Sequence, residues 1–267
     1  MNRTSQGVLT MKQYIVDAFT REVFHGNQAA VCVLDSWPSE SLMMSIAFEN
    51  NFSETAFTVR EGDGYRLRWF TPNSEIDLCG HATLATAFVL LNFYEPDAER
   101  ITFHTMSGDL YVGRRGDYIS LNFPAYACRE VPVTDAMEAA LGVRPQEAYM
   151  DRDLLLVYDD ERIVREMKPD FEKVAQLDGM GVAVTAPAAT HDCTSRFFAP
   201  DIAIDEDPVT GSVHCMIAPY WARRLGKDTI SAYQASARGG EMLCELHGDR
   251  VVLLGQAALY SVGELTV

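Results

Sequence analysis

Hydrophobic and polar positions alternate through much of the first 125 residues, and this period of two predicts strands with one buried face. Glycine- and aspartate-rich segments between the alternating stretches, such as residues 61–64, predict hairpin turns. The strands predicted in this half of the chain cover residues 13–19, 29–34, 55–59, 65–70, 101–105, 110–114 and 118–123.

Two longer segments, residues 80–93 and 211–225, are apolar on nearly every side. A helix that is hydrophobic all round is a buried helix, so we expect strands to wrap around each of them. Shorter helices are predicted at residues 38–50, with Ser36 as a possible cap, and at residues 134–141 and 169–177.

The second half of the chain repeats the order of the first, which indicates a weak internal repeat. Its predicted strands cover residues 147–157, 181–186, 194–198, 241–246 and 251–256. The order of elements therefore predicts two similar halves, residues 11–123 and 124–267, each with strands around a buried helix. The last strand could return to the first half. Residues 1–10 are polar and are predicted to be a disordered extension.

Each buried helix begins behind an aspartate and a glycine: Asp77 and Gly80 in the first half, Asp207 and Gly211 in the second. A glycine lets a ligand approach the backbone, and the first N–H groups of a helix lack intrahelical partners and favour an anion. If the two helix starts face each other, they form a carboxylate-binding cleft between the halves.

The net charge of the chain limits the classes of partner that it can bind. With 38 acidic and 22 basic residues, the 267-residue chain carries a formal charge of −16, which argues against nucleic acid and anionic membranes. The sequence has no run of 18 consecutive apolar residues, so we predict no membrane span. The first ten residues do not resemble a signal peptide. The six scattered cysteines are typical of reduced thiols, so we expect a cytoplasmic protein.

Three side chains in the first half of the chain are candidates for chemistry. Glu54 lies among apolar neighbours at a predicted helix-to-strand junction and could act as a general acid or base, or simply occupy a turn. His81 could contact a substrate or be a satisfied core histidine. The helix dipole predicts a lowered pKa for Cys79, and a Cys/His nucleophile is conceivable, although a small buried hydrophobe is commoner. Asp77 and Asp207 are most simply helix N-terminal carboxylates.

Sequence motifs for metals and nucleotides are absent. None of the six histidines has an i, i+4 partner or a carboxylate at a known ligand spacing, and neither glycine-rich phosphate motif is present. We therefore predict neither a metal nor a cofactor.

Eight segments, taken in order, resemble the PhzF-like phenazine-biosynthesis family, whose members have the diaminopimelate epimerase fold. No single segment is specific, but together they run nearly end to end. They are residues 16–19, 24–31, 51–57, 68–72, 77–83, 195–200, 206–212 and 234–240.

This resemblance implies an α+β fold of two similar halves, each a mixed sheet rolled around a central helix. It also implies an active site in the cleft between the halves, no cofactor, and a homodimer. The characterised family member isomerises a dihydro-hydroxyanthranilate by moving a proton between ring carbons, which implies a small carboxylated substrate, aromatic or amino-acid-like. The residues to which it assigns catalytic or substrate-binding roles are Glu54, His81 and Asp207 (catalytic) and Asn27, Ser53, Gly80, Gly211 and Ser212 (substrate-binding).

One departure separates the chain from amino-acid epimerases and racemases, which use two facing cysteines. Cys79 matches the first cysteine, whereas Pro208 falls at or next to the second. Proton transfer by Glu54 in a cofactor-independent isomerase is therefore the leading hypothesis. A one-thiol epimerase or racemase that uses Cys79, and a small-acid-binding protein without chemistry, are the alternatives.

Overall fold

The chain divides into two units, residues 1–122 with 255–267 (unit 1) and residues 123–254 (unit 2). The structure, a computed structural model, describes residues 2–3, 9–202 and 204–267. Of the predicted N-terminal extension, residues 1 and 4–8 lie outside the described residues, while Asn2–Arg3 pairs with the start of the next strand. The final strand belongs to unit 1.

Unit 1 is a mixed sheet with one helix in each of its two parallel connections. Its helices are α1 (Glu40–Asn50) and α2 (Gly80–Phe93). Its strands are β1 (Asn2–Arg3), β2 (Leu9–Ala18), β3 (Asn27–Leu34), β4 (Glu54–Glu61), β5 (Gly64–Phe70), β6 (Glu75–Ile76), β7 (Arg100–Thr105), β8 (Gly108–Arg115), β9 (Tyr118–Pro124) and, from the end of the chain, β18 (Ala257–Thr266).

The two parallel pairs of unit 1 set the positions of its helices. Strands β3 and β4 are parallel and α1 connects them, while β5 and β7 are parallel and α2 connects them. On α1, Met43 and Ile46 pack with Phe57 and Phe70 of the sheet. Residues of β3 and β4 that point away from this cluster, including Asn27 and Glu54, therefore lie on the side of α2.

Unit 2 repeats this order of elements. Its helices are α3 (Asp135–Leu141), α4 (Glu161–Glu166), α5 (Phe171–Val174) and α6 (Gly211–Leu225). Its strands are β10 (Arg129–Val131), β11 (Glu147–Met150), β12 (Leu154–Val157), β13 (Val182–Pro187), β14 (Cys193–Phe198), β15 (Thr229–Gln234), β16 (Gly240–His247) and β17 (Arg250–Gly255). Here β12 and β13 are parallel around α4 and α5, and β14 and β15 are parallel around α6.

The two central helices match their predicted bounds, and both are largely buried. Helix α6 contains Pro219, which has no N–H to donate to the carbonyl four residues earlier. That carbonyl, on Cys215, instead accepts a hydrogen bond of 3.0 Å from the backbone N–H of Tyr126. The helix therefore continues through the proline without an unsatisfied buried carbonyl.

Other local predictions need correction. Ser39 rather than Ser36 caps α1, because its hydroxyl accepts from the N–H of Leu42. The strand predicted over residues 147–157 is a hairpin broken at residues 151–153, and strands β15 and β18 were not predicted. In the described part of the chain, no helix is long and apolar enough to cross a membrane.

Candidate functional site

In unit 1 the start of α2 lies beside the starts of two strands, and this brings three predicted residues together. Glu54 is the first residue of β4 and Asn27 the first of β3, while His81 is the second residue of α2. All three are buried. Because parallel strands begin at the same edge of a sheet, the β3–α1–β4 connection places Glu54 and Asn27 near one helix end.

Glu54 and His81 form the closest contact of this group. Glu54 Oε2 lies 3.1 Å from His81 Nε2, and the side chains are 9% and 7% exposed. Among the described residues neither atom has a hydrogen-bond partner, because the 3.1 Å approach lacks the alignment of a hydrogen bond. Both atoms can therefore still make a hydrogen bond to a substrate.

The other ring nitrogen of His81 faces Asn27 and Cys79. Its Nδ1 lies 3.3 Å from Asn27 Nδ2 and 3.5 Å from Cys79 Sγ. In the neutral imidazole, a hydrogen bond from the Asn27 amide to Nδ1 would keep the ring proton on Nε2, toward Glu54, whereas the imidazolium carries a proton on both nitrogens. Asn27 therefore faces the nitrogen whose protonation changes with the charge of the ring.

The electrostatics of this group differ from the sequence prediction for Cys79. Burial raises the pKa of the Cys79 thiol to about 11, and the carboxylate of Glu54 adds to the rise, so the predicted lowering by the helix dipole is wrong. Burial lowers the pKa of His81, but Cys79 and Glu54 raise it more, and the net pKa lies well above 6.5. The thiol of Cys79 is therefore protonated at neutral pH.

Glu54, Cys79 and His81 are also a conceivable metal-donor set, since one donor atom of each lies within 4.8 Å of the others. The imidazole, however, turns Nε2 to Glu54 and Nδ1 to Cys79. The carboxylate and the thiol therefore lie toward different nitrogens of the same ring.

The N-terminus of α2 offers further donors. The N-cap residue Cys79 is extended and makes no side-chain capping bond, and the first intrahelical bond runs from Thr83 N–H to the Cys79 carbonyl. The N–H groups of Gly80, His81 and Ala82 precede that bond and have no partner within the helix. They form a positive helix end beside a buried carboxylate and imidazole.

The start of α6 in unit 2 carries the remaining predicted residues. Asp207 is half-buried, its carboxylate accepts a hydrogen bond from the Thr210 hydroxyl, and its backbone carbonyl accepts one of 2.8 Å from Gln234 Nε2. The N-cap Thr210 makes no side-chain capping bond, so the N–H groups of Gly211 and Ser212 are free of intrahelical partners. Ser53, in unit 1, is half-buried and directly precedes Glu54.

Gln234 was not singled out from the sequence, yet it holds the start of α6. Its Oε1 accepts a 2.8 Å hydrogen bond from the Thr210 N–H, and its Nε2 also lies 3.2 Å from the Thr210 hydroxyl. Gln234 lies in the last of the eight segments that carry the family resemblance. Its place in that segment was the signal that could have identified it from the sequence.

Comparison with known proteins gives full-length relatives. A protein of Pseudomonas aeruginosa named as an uncharacterized isomerase is 49% identical over 94% of this chain and 96% of its own length. A crystal structure of a PhzF-family protein from Enterococcus faecalis is 50% identical, has a TM-score of 0.95, and covers 97% of this chain and 100% of its own. A hydroxyproline epimerase from Agrobacterium vitis, at 9% identity and a TM-score of 0.62, shares the fold.

These relatives and the repeated strand-helix order define the class of this protein: an isomerase with the α+β fold of the diaminopimelate epimerase type. The family model for phenazine biosynthesis-like proteins, PhzC-PhzF, matches residues 16–263. The chain belongs to this family.

Proposed function

We propose that the protein moves a proton between carbon atoms of a small carboxylated substrate, without a cofactor, and that Glu54 is the general acid and base. One observation carries the proposal. A buried carboxylate and a buried imidazole lie 3.1 Å apart, and neither facing atom has a hydrogen-bond partner among the described residues. Buried polar atoms are normally satisfied, so two adjacent exceptions favour a role with a ligand.

In the proposed reaction the ionised Glu54 takes a proton from one carbon and returns it to another. The Nε2–H of His81 donates to the substrate and stabilises the negative charge that develops when the proton leaves. A positioned acid-base group of this kind contributes about 10²- to 10⁴-fold in rate. Asn27 has a positioning role because it faces the opposite nitrogen of the imidazole.

The substrate carboxylate would bind the N–H groups at the start of α2, at Gly80 and its neighbours. We further propose that the N–H groups of Gly211 and Ser212 bind a carboxylate and that Asp207 binds an amino or hydroxyl group. Ser53 would contact the substrate beside Glu54. The uncapped N-termini of α2 and α6 support these assignments, since such helix ends favour anions.

The alternatives have less support. A one-thiol epimerase needs Cys79 as a thiolate, whereas burial raises the pKa of this thiol to about 11. A binding protein without chemistry has no need of an acid-base pair at the ligand. A cytoplasmic location and a homodimer are also proposals, the first supported by six free cysteines and the second by the family resemblance.

Deuterium exchange at carbon tests the assignment of Glu54. The protein is incubated in heavy water with dihydro-hydroxyanthranilate and other small ring carboxylates, and incorporation is followed by mass spectrometry. Glu54→Gln is expected to lose at least 100-fold in exchange rate while ligand affinity stays within a few-fold. Glu99→Gln, the same change at an exposed site of unit 1, is the matched control.

Full exchange by Glu54→Gln would show that another group is the base. Binding without exchange by the unaltered protein would favour the small-acid-binding alternative.

A further inference from the structure

The second unit has a buried carboxylate of its own, and the strand registers relate it to Glu54. Strands β5 and β14 both end in Arg-x-Phe, at Phe70 and Phe198, which relates these two residues. In unit 1 Phe70 pairs with Thr55, which also pairs with Ala30, and in unit 2 Phe198 pairs with Val182, which also pairs with Leu154. The residues one step earlier therefore correspond as well. Gly181 matches Glu54, and Asp153 matches Ala29.

The carboxylate therefore lies on the second strand of the parallel pair in unit 1 and on the first strand in unit 2, and the small residue lies on the other strand in each case. In unit 1 the first parallel pair places Ala29 opposite Glu54. In unit 2 the corresponding positions hold Asp153 and Gly181, and the N–H of Leu154 donates to the Gly181 carbonyl at 2.9 Å. A side chain on Gly181 would collide with the ring of Phe197, only 2.3 Å from its Cβ position. The carboxylate therefore has room only on the neighbouring strand.

Asp153 lies on the side of the sheet that faces α6. Leu154 and Leu156 pack into the cluster formed with α3, α4 and α5, so the alternate residues of β12 point the other way. On that opposite side Trp221 of α6 donates to the hydroxyl of Thr185, the register partner of Val157. Asp153 lies four residues before Val157, so its side chain points to the same side of the sheet.

Asp153 is also at the end of the sheet where α6 begins. Strand β14 ends beside the start of β13, where Phe198 pairs with Val182, and the chain enters α6 after that point. Strand β15 runs parallel to β14 and ends at Gln234, which holds Thr210 at the helix start. Glu54 has the same relation to α2 in unit 1.

The carboxylate of Asp153 is unsatisfied. The residue is 1% exposed, and neither carboxylate oxygen has a hydrogen-bond partner among the described residues. Burying an ionised carboxylate without hydrogen bonds is unfavourable, so such a group needs a ligand or a structural compensation. The neighbouring charges are Arg152 and Asp151 on the same turn, and they act in opposite directions.

We propose that Asp153 is a substrate-binding carboxylate of unit 2 that accepts hydrogen bonds from an amino or hydroxyl group of the substrate. This inference rests on the proposed function and adds a specificity-determining residue to it. Burial raises the pKa of Asp153 to about 6, so most of the population is ionised at pH 7 and can accept hydrogen bonds from an N–H or O–H donor.

Calorimetric titration with two probes tests the inference. Benzoate supplies a carboxylate, and anthranilate supplies the same carboxylate with an adjacent amino group. The unaltered protein is expected to bind anthranilate at least tenfold more tightly than benzoate. Asp153→Asn should remove this preference and leave benzoate binding unchanged, while the control Asp151→Asn, an exposed neighbour, should keep it.

Each of the other outcomes contradicts the proposed substrate-binding role of Asp153. If benzoate binds but anthranilate gains nothing, or if Asp153→Asn keeps the preference, the inference is wrong and the proposed carboxylate site stands. If neither probe binds, the proposed function fails as well. Thermal unfolding without ligand gives a second readout, in which Asp153→Asn should melt no lower than the unaltered protein at pH 8. If neither Asp153→Asn nor Asp153→Ala folds, Asp153 has a structural role and the inference is wrong.

Discussion

Glu54 Oε2 and His81 Nε2 approach to 3.1 Å without forming an aligned hydrogen bond. The contact joins the first residue of β4 to the first turn of α2. In the proposed reaction, a substrate oxygen or nitrogen would accept a hydrogen bond from the imidazole while the carboxylate takes a proton from a nearby carbon.

The role of His81 is testable by separating chemistry from binding. His81→Gln is expected to lower the carbon exchange rate by about 10- to 1,000-fold, because the amide cannot match the donor strength of the imidazole. Affinity for benzoate should change by less than about threefold. His104→Gln, at a partly exposed histidine paired with Asp109, controls for loss of an imidazole. Equal losses of rate and affinity would instead mark His81 as a binding residue.

Cys79 should be dispensable for chemistry. Its thiol is protonated near neutral pH, since burial raises its pKa to about 11, so Cys79→Ser and Cys79→Ala are expected to keep the exchange rate within about tenfold. Cys128→Ser, at another cysteine whose pKa is raised to about 11, is the matched control. A loss of 100-fold or more, confined to the Cys79 variants, would support the one-thiol epimerase.

Gly26 is expected to be sensitive because it precedes Asn27 in a crowded turn. It has φ +65°, and an added Cβ would lie 2.1 Å from the backbone oxygen of Ala18, which is fixed by pairing with Asn27. Gly62 has φ +61° but no atom within 4 Å of its Cβ position, so Gly62→Ala isolates the conformational strain.

Urea unfolding should therefore show a loss of about 1–2 kcal/mol for Gly62→Ala. Gly26→Ala should lose at least about 2 kcal/mol more, because a backbone atom must move. Equal losses for the two variants would mean that the turn before Asn27 adapts without strain.

The stability of the protein should depend on His214 in mild acid. Burial lowers the pKa of His214 to about 4, although its Nδ1 lies 2.8 Å from the Thr210 carbonyl, which favours the protonated form. The unfolded chain takes up this proton near pH 6.5, whereas the folded chain does so only near pH 4. The free energy of unfolding should therefore fall between pH 6.5 and 4, by at most about 3 kcal/mol from this group.

The measurement is urea unfolding at several pH values for the unaltered protein and His214→Gln. The difference in unfolding free energy between the two should shrink as the pH drops, because the variant lacks the group that titrates. Asp153, with a raised pKa, acts in the opposite direction in both proteins and cancels from the difference. A difference that is constant with pH would contradict the assignment.

Much of the local structure was predictable, because it depends on short-range patterns. The apolar runs behind Gly80 and Gly211 predicted α2 and α6 with their observed bounds, and alternation predicted most strands. The hairpin at Asp153 was missed since residues 147–157 are compatible with one continuous strand. Asp153 could not be related to Glu54 without the strand registers.

The sequence by itself determined the family, the α+β class and the buried character of both central helices. These features follow from the order of the motifs and from the periodicity of hydrophobic residues within short segments. Only the tertiary structure decided that Glu54, His81, Asn27 and Cys79 meet, since their contact depends on how strands far apart in the chain align. It also reversed the predicted pKa direction of Cys79. Burial is a property of the packed protein, and at this position it is the largest influence on the pKa of the thiol.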